Sequence, residues 1–213
     1  EESGQIFLKA YLQNNGLELG KDVEFEYVDN PTTALEGLRS GQCDLFITNN
    51  AMGYSYSTSM DDIKVAGIPA DITGNYPCCR QNCSEEAYHK KFLSLVDFEV
   101  ALIRGYDYYL NNKEDVIKRL VEYSAQPADY VEAAMYGTGT YRNVMDLSPD
   151  PHTKEVVAYY QAMMDIGEIE QSDYDMADYA VPYVYKKALD ILIEREPGNA
   201  TYKKLLEDYP KYN

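Results

Sequence analysis

The 213-residue chain has no tryptophan, five phenylalanines, two histidines and four cysteines, and sets only 19 basic residues against 36 acidic ones. Each scarcity narrows the reading. A formal net charge of −17 and an isoelectric point near 4.4 repel phosphate backbones and anionic lipid, which disfavours nucleic-acid and membrane-surface roles. The longest mainly apolar run, Val156 to Met164, is about half of what spanning a bilayer needs. Cys43, Cys78, Cys79 and Cys83 are too few for a disulfide scaffold, and a chain of this length at 45% apolar composition builds a core without staples. His89 beside Lys90 and Lys91, and His152 after Asp150 and Pro151, sit in polar settings typical of surface histidines. Ser-His-Asp, HExxH and Walker patterns are absent. No enzyme, metal or cofactor is therefore expected. The first residue is Glu1 and no signal-peptide pattern follows it, as in a processed protein, a trimmed chain or a fragment.

What is abundant is tyrosine, 22 residues, which supplies apolar area with a polar handle. The chain is organised around Asp22 to Asn50. Val23, Phe25 and Tyr27 alternate with Glu24 and Glu26 and run into Val28, the period-two pattern of a half-buried strand. Asp29-Asn30-Pro31 breaks that pattern, and Pro31 opens a helix carried by Ala34, Leu35 and Leu38 until Gly41 stops it. Cys43 to Thr48 reads as a second strand and Ile63 to Ile68 as a third. Strand, helix and strand make a βαβ unit, whose strands run parallel. Ligands in such sheets bind beyond the carboxyl ends of the strands, which singles out Asp29-Asn30 and Thr48-Asn49-Asn50. Asn49 to Tyr54 reads as a loop whose amides, together with the Met52 thioether, suit a small polar or aromatic ligand.

Ser3 and Gly4 open a helix that Asn15-Gly16 closes, and a helix N-terminus attracts anions through unpaired N–H groups and its dipole. Glu1 and Glu2 immediately before the cap work against an anionic ligand. From Ser84 the period changes to 3.6, giving helices from Glu85 to Leu110, Lys113 to Ser124, Pro127 to Tyr136, Thr153 to Ile166 and Asp175 to Ile193, the last interrupted by Pro182. Gly137-Thr138-Gly139-Thr140 lacks the strand context of a phosphate loop. Adjacent Cys78 and Cys79 with Cys83 match no common zinc spacing, so buried structural cysteines are expected, with metal or redox use as the alternative. Arg80 is a candidate pocket cation, set against a surface ion pair.

The order Gly16-Leu17, Val23 to Val28 and Ala34 to Asp44, followed by Asp71-Ile72 and Tyr76-Pro77-Cys78-Cys79-Arg80, resembles the substrate-binding proteins of ABC importers, in the branch that includes nitrate, sulfonate, taurine and thiamine-pyrimidine binders. The resemblance implies an α/β fold of the type II periplasmic-binding-protein kind, a small parallel βαβ lobe followed by a mainly helical carboxyl-terminal part. Residues 1–76 would be the second lobe, and residues 77–213 the return crossing and the helices that belong to the first. The family's first lobe would precede Glu1.

The implied function is capture of a small organic or anionic solute between two lobes by hinge closure, outside the cytoplasm, in the periplasm or as an anchored lipoprotein, and delivery to an ABC permease. Its implied ligand contacts are Ser3, Gly4, Asn30, Thr48, Asn49, Asn50, Met52 and Arg80. Alternatives are an enzyme related to thiamine-pyrimidine synthases and an interaction or sensor module without transport. A chain holding one lobe offers half of the pocket walls, so weak binding is expected, with a homodimer or the first-lobe segment covering the exposed helix faces.

Overall fold

The computed structural model describes residues 4–68, 71–72 and 77–213; Ser3, one of the implied ligand contacts, lies outside them. Ten α-helices are described: α1 (Gly4–Asn14), α2 (Pro31–Ser40), α3 (Asn50–Ser59), α4 (Glu85–Lys90), α5 (Phe92–Asn111), α6 (Lys113–Ser124), α7 (Ala128–Tyr136), α8 (Thr153–Asp165), α9 (Tyr183–Arg195) and α10 (Ala200–Tyr212), with a short 3-10 turn at Met176–Asp178.

Their starts follow from side-chain caps. Asn30 Oδ1 accepts the Thr33 N–H at 3.0 Å, with Pro31 at the first helical position; Ser84 accepts from Ala87 at 3.2 Å, and Asn199 from Tyr202 at 3.1 Å. Each such cap stabilises its helix by about 1 kcal/mol. Gly41, at φ 76°, supplies the left-handed residue that ends α2, a conformation that carries no Cβ penalty in glycine.

The expected α/β fold is not formed. Among the described residues the sole β pairing is an isolated parallel bridge between Leu19 and Val23, and residues 24–28, 44–48 and 63–67 exchange no backbone hydrogen bonds with one another. The alternation is expressed in burial only at its start: Val23 and Phe25 are half-buried while Glu24 and Glu26 are exposed, but Tyr27 and Val28 are exposed as well. A pattern that sets which face is covered does not supply a neighbouring ladder, and without a ladder there is no strand. The architecture is therefore helical with irregular connecting segments, and the parallel βαβ lobe is withdrawn.

The helical reading differs at further points, among them the helix expected from Asp175, which begins only at Tyr183 after a 3-10 turn at Met176–Asp178. The segment read as the loop Asn49–Tyr54 is the first turn and a half of α3, because Asn49 Oδ1 caps the Met52 N–H at 3.0 Å. The long stripe from Glu85 breaks at Lys91, which leaves the helical conformation at φ −126°, ψ 24°. Beyond the expected set lies α10, whose Tyr202, Leu205, Leu206 and Tyr209 recur at helical spacing and pack on the core of their unit.

The chain divides into two compact units, Glu1–Tyr76 with Asp129–Met145 and Ala162–Ser172, and Pro77–Ala128 with Asp146–Gln161 and Asp173–Asn213. In the first, Ile6, Leu35, Ile63, Val131, Ala133, Ala134, Tyr141 and Met164 are buried. In the second, α5 packs along α9 and both meet α10; Val96, Val100 and Ile103 interleave with Tyr185, Ala188, Leu189 and Leu192, and Tyr202 and Leu205 close the cluster. Each fully buried aliphatic side chain there contributes roughly 1.5–3 kcal/mol of transfer free energy.

Candidate functional site

The first unit contains a cavity of about 390 Å³, within the size range of small-molecule sites. Its walls come from α1 (Gly4, Phe7, Leu8), from Leu38 of α2, and from the unpaired segments 44–49 and 63–67. Phe46 and Tyr56 meet edge to face with ring centroids 5.9 Å apart, and both line the cavity. Most of the remaining wall is aliphatic, from Leu45, Ile47, Ile63, Val65 and Ile72.

Polar groups are few. They are Thr48, Asn49, Asp44, Lys64, Asn143 and the Tyr56 hydroxyl. The Asn49 carbonyl oxygen is committed to the helix cap, which leaves its Nδ2 and the Thr48 hydroxyl without a partner among the described residues. The main chain of 44–48 forms no ladder, so its N–H and C=O groups remain available to water or to a ligand.

The first turn of α3 is held where it stands by α7 and the loop after it, all within this unit. Asn50 Nδ2 donates to the Ala134 carbonyl at 2.9 Å, and the Tyr141 hydroxyl donates to the Asn50 carbonyl. Tyr54 stacks edge to face on Tyr141 at 5.1 Å and donates to Asp129 Oδ2 at 3.3 Å. Burial pushes the Tyr141 phenol above its ordinary range, with hydrogen bonds from its neighbourhood pulling the other way. A Cβ at Gly53 would stand 3.0 Å from the Tyr141 hydroxyl oxygen and 3.6 Å from Val65, so glycine allows this close approach. Arg142 and Asp71 form a two-pronged ion pair beside the cavity, with Nη1 to Oδ1 at 2.9 Å.

Of the residues singled out in the sequence, Gly4, Thr48 and Asn49 are brought together at this cavity. Asn30 instead caps α2, and Asn50 is spent on Ala134. Met52 is half-buried and contributes its N–H to the cap. Arg80 belongs to the second unit, where it donates to the Pro151 carbonyl at 2.8 Å and to its own neighbour's Cys79 carbonyl at 2.7 Å. Phe7, Leu38, Tyr56, Lys64 and Asn143 were not foreseen; their apolar or charged character fits a core or surface equally well, and only the tertiary contacts place them here.

Cys78, Cys79 and Cys83 are exposed rather than buried as expected, and Cys78 and Cys79 are unbridged, with Sγ atoms 3.5 Å apart. Cys79 is pushed up, first by its hydrogen bond with Cys78. Among the described residues no group of three or more His, Cys, Asp or Glu side chains is arranged to hold a metal ion, and no helix is long and apolar enough to cross a membrane. No protein-family model, curated protein or solved structure matches the chain.

Proposed function

We propose that the chain is a solute-binding protein that holds a small organic molecule in the cavity of its first unit and serves an ABC-type importer. The observation that carries this reading is the convergence of Gly4, Thr48 and Asn49 on one cavity of about 390 Å³ with aromatic and aliphatic walls. All of the described residues that line this cavity belong to the first unit.

The wall chemistry selects the ligand class. An inorganic anion would leave the apolar surface of Phe7, Phe46 and Ile47 wet and would meet Asp44 in a chain of net charge −17. A flat or compact organic body covers those walls and gains about 25 cal/mol for each Å² of apolar surface removed from water. One polar edge on that body then reaches the Thr48 hydroxyl and the Asn49 amide, each hydrogen bond contributing about 1 kcal/mol. Binding and release without chemistry is the role such a wall supports, and an extracytoplasmic location with hand-over to a permease completes the proposal.

The test is a thermal-shift and calorimetric panel of aminopyrimidines, aryl sulfonates and alkyl sulfonates, with nitrate included. Binding of an aromatic member, lost in Thr48→Phe because the cavity is filled, supports the reading. Equal binding by wild type and Thr48→Phe contradicts it.

A further inference from the structure

Cys78, Cys79 and Cys83 lie on an irregular stretch of the second unit, between its first residue Pro77 and the α4 cap Ser84. The first two turn their sulfurs to each other. The Cys79 thiol donates to Cys78 Sγ at 3.5 Å, and both residues are exposed. Neighbouring residues on a pleated strand point their side chains to opposite faces, so this contact means that the backbone turns here instead of pleating.

That turn is fastened from its far side. Arg80 Nη1 donates to the Cys79 carbonyl at 2.7 Å and Arg80 Nε to the Pro151 carbonyl at 2.8 Å, while Asn82 Nδ2 donates to the Arg80 carbonyl at 3.0 Å. Hydrogen bonds from a charged donor are the stronger kind, and the half-buried Arg80 thereby pins the carbonyl end of Cys79 to the turn before α8, within the second unit. The two thiols are held in contact and open to solvent at once.

We propose that Cys78 and Cys79 form a reversible dithiol site, which exchanges with small-molecule disulfides and closes to a bridge between the two neighbouring residues. The Cys78 thiolate attacks one sulfur of a disulfide RSSR, whose S–S bond breaks and releases one RS⁻. Cys79 then gives its proton to solvent and attacks the Cys78 sulfur of the mixed disulfide, which releases the second RS⁻. Each RS⁻ takes up a proton, so two protein thiols are oxidised to one disulfide while RSSR is reduced to two RSH. Cys79 reacts second because its hydrogen bond with Cys78 engages its proton and pushes the thiol up.

The same geometry makes the bridge labile. Adjacent Cα atoms stand about 3.8 Å apart, below the roughly 4.4–6.8 Å that disulfides usually span. A bridge here is strained as well as exposed, and strained, exposed disulfides are the easily reduced ones. Cys43 is half-buried in the first unit, which leaves Cys83 as the competing sulfur in the same stretch.

The experiment incubates the folded chain with oxidised glutathione, blocks the remaining thiols by alkylation, and maps tryptic peptides without reduction. Cleavage after Arg80 leaves Cys78 and Cys79 together in peptide 65–80 and puts Cys83 in peptide 81–90. Peptide 65–80 should appear unalkylated and lighter by two hydrogens, and should return to its doubly alkylated form when excess reduced glutathione is added before the alkylation. A trivalent arylarsenical, which releases water as it joins two thiols, should protect the same peptide from alkylation. In Cys79→Ser glutathione should stay attached to Cys78, because the sulfur that would displace it is gone. Peptide 65–80 linked to peptide 81–90, doubly alkylated after oxidation, or bridged but not reopened by reduced glutathione overturns the proposal, as does alkylation that the arsenical leaves unchanged. Absence of glutathione from Cys78 in Cys79→Ser overturns the exchange step. Should that variant fail to fold, the wild-type maps with glutathione and with the arsenical decide by themselves.

Discussion

Lys9 Nζ lies 2.6 Å from Glu168 Oε2, 159 positions further along the chain, and 2.6 Å from the Tyr27 hydroxyl. The ammonium also sits over the rings of Phe25 and Tyr27, 5.2 and 5.3 Å from their centroids, as cations do over aromatic faces. Desolvation, the largest single influence, pulls Lys9 down; the hydrogen bonds to Glu168 and Tyr27 and the Glu168 charge outweigh it and leave it above its ordinary value. This pair fastens the segment after α8 and the segment before α2 to α1, within the first unit.

Lys9→Met is expected to destabilise the first unit by about 2 kcal/mol, since it strands a half-buried carboxylate as well as removing a bond. Lys9→Met with Glu168→Leu should cost less than the sum of the single changes. Because the folded pKa of Lys9 is raised, the stabilisation is complete below its unfolded value of 10.5 and is lost as pH rises through the folded value. Chemical denaturation of the four cycle members, repeated at alkaline pH, checks both statements.

Asn30 and Asn49 make the same kind of cap, with Oδ1 3.0 Å from the third amide in each case, yet only Asn49 lines the cavity. Each Asn→Ala change should cost about 1 kcal/mol of stability. Only Asn49→Ala should also weaken solute binding, on the order of fivefold for one lost hydrogen bond. Equal effects of the two variants on binding would remove Asn49 from the site.

Ile103 and Leu189 are fully buried where α5 meets α9. Truncating either to alanine should cost about 3 kcal/mol through lost transfer energy and the cavity left behind. A loss below about 1 kcal/mol in urea unfolding would mean that this helix pair is not the core of the second unit.

Cys78, Cys79 and Cys83 are exposed and unbridged, whereas Cys43 is half-buried with Sγ 3.8 Å from the Ala34 carbonyl and 3.3 Å from the position of a Cβ on Gly37. A thiol reagent at neutral pH should label three cysteines quickly and Cys43 last, with Cys79 behind Cys83 because its hydrogen bond with Cys78 holds its proton. Elemental analysis should find no stoichiometric iron or zinc. Metal that is lost in Cys78→Ser would reverse this and favour the enzyme reading.

What the sequence revealed was local. Pro31 and Gly41 bracket α2, and Asn111-Asn112 ends α5, because caps and stops act within one turn of where they stand. Alternation at Val23 to Glu26 showed which side chains turn inward but not what they would pair with, since a ladder depends on residues far away in sequence. The helix α3, Asn-Ala-Met-Gly-Tyr-Ser-Tyr-Ser-Thr-Ser, escaped notice because its small polar residues carry almost no helical stripe and suit a loop equally well. At the cavity, Thr48 and Asn49 were singled out as the end of a strand in a sheet that does not form, while Asn143 reaches the same cavity from the loop after α7 with no local signal.

The central claim is that the first unit's cavity takes up a small organic solute, and titration calorimetry of the 213-residue chain with an aminopyrimidine and an aryl sulfonate tests it most directly, with Thr48→Phe as the filled-cavity control. The account predicts one-site binding at micromolar affinity by the monomer, with a negative heat-capacity change from apolar burial, and its loss in Thr48→Phe. No heat with any member of the panel, or binding that survives Thr48→Phe unchanged, would contradict it.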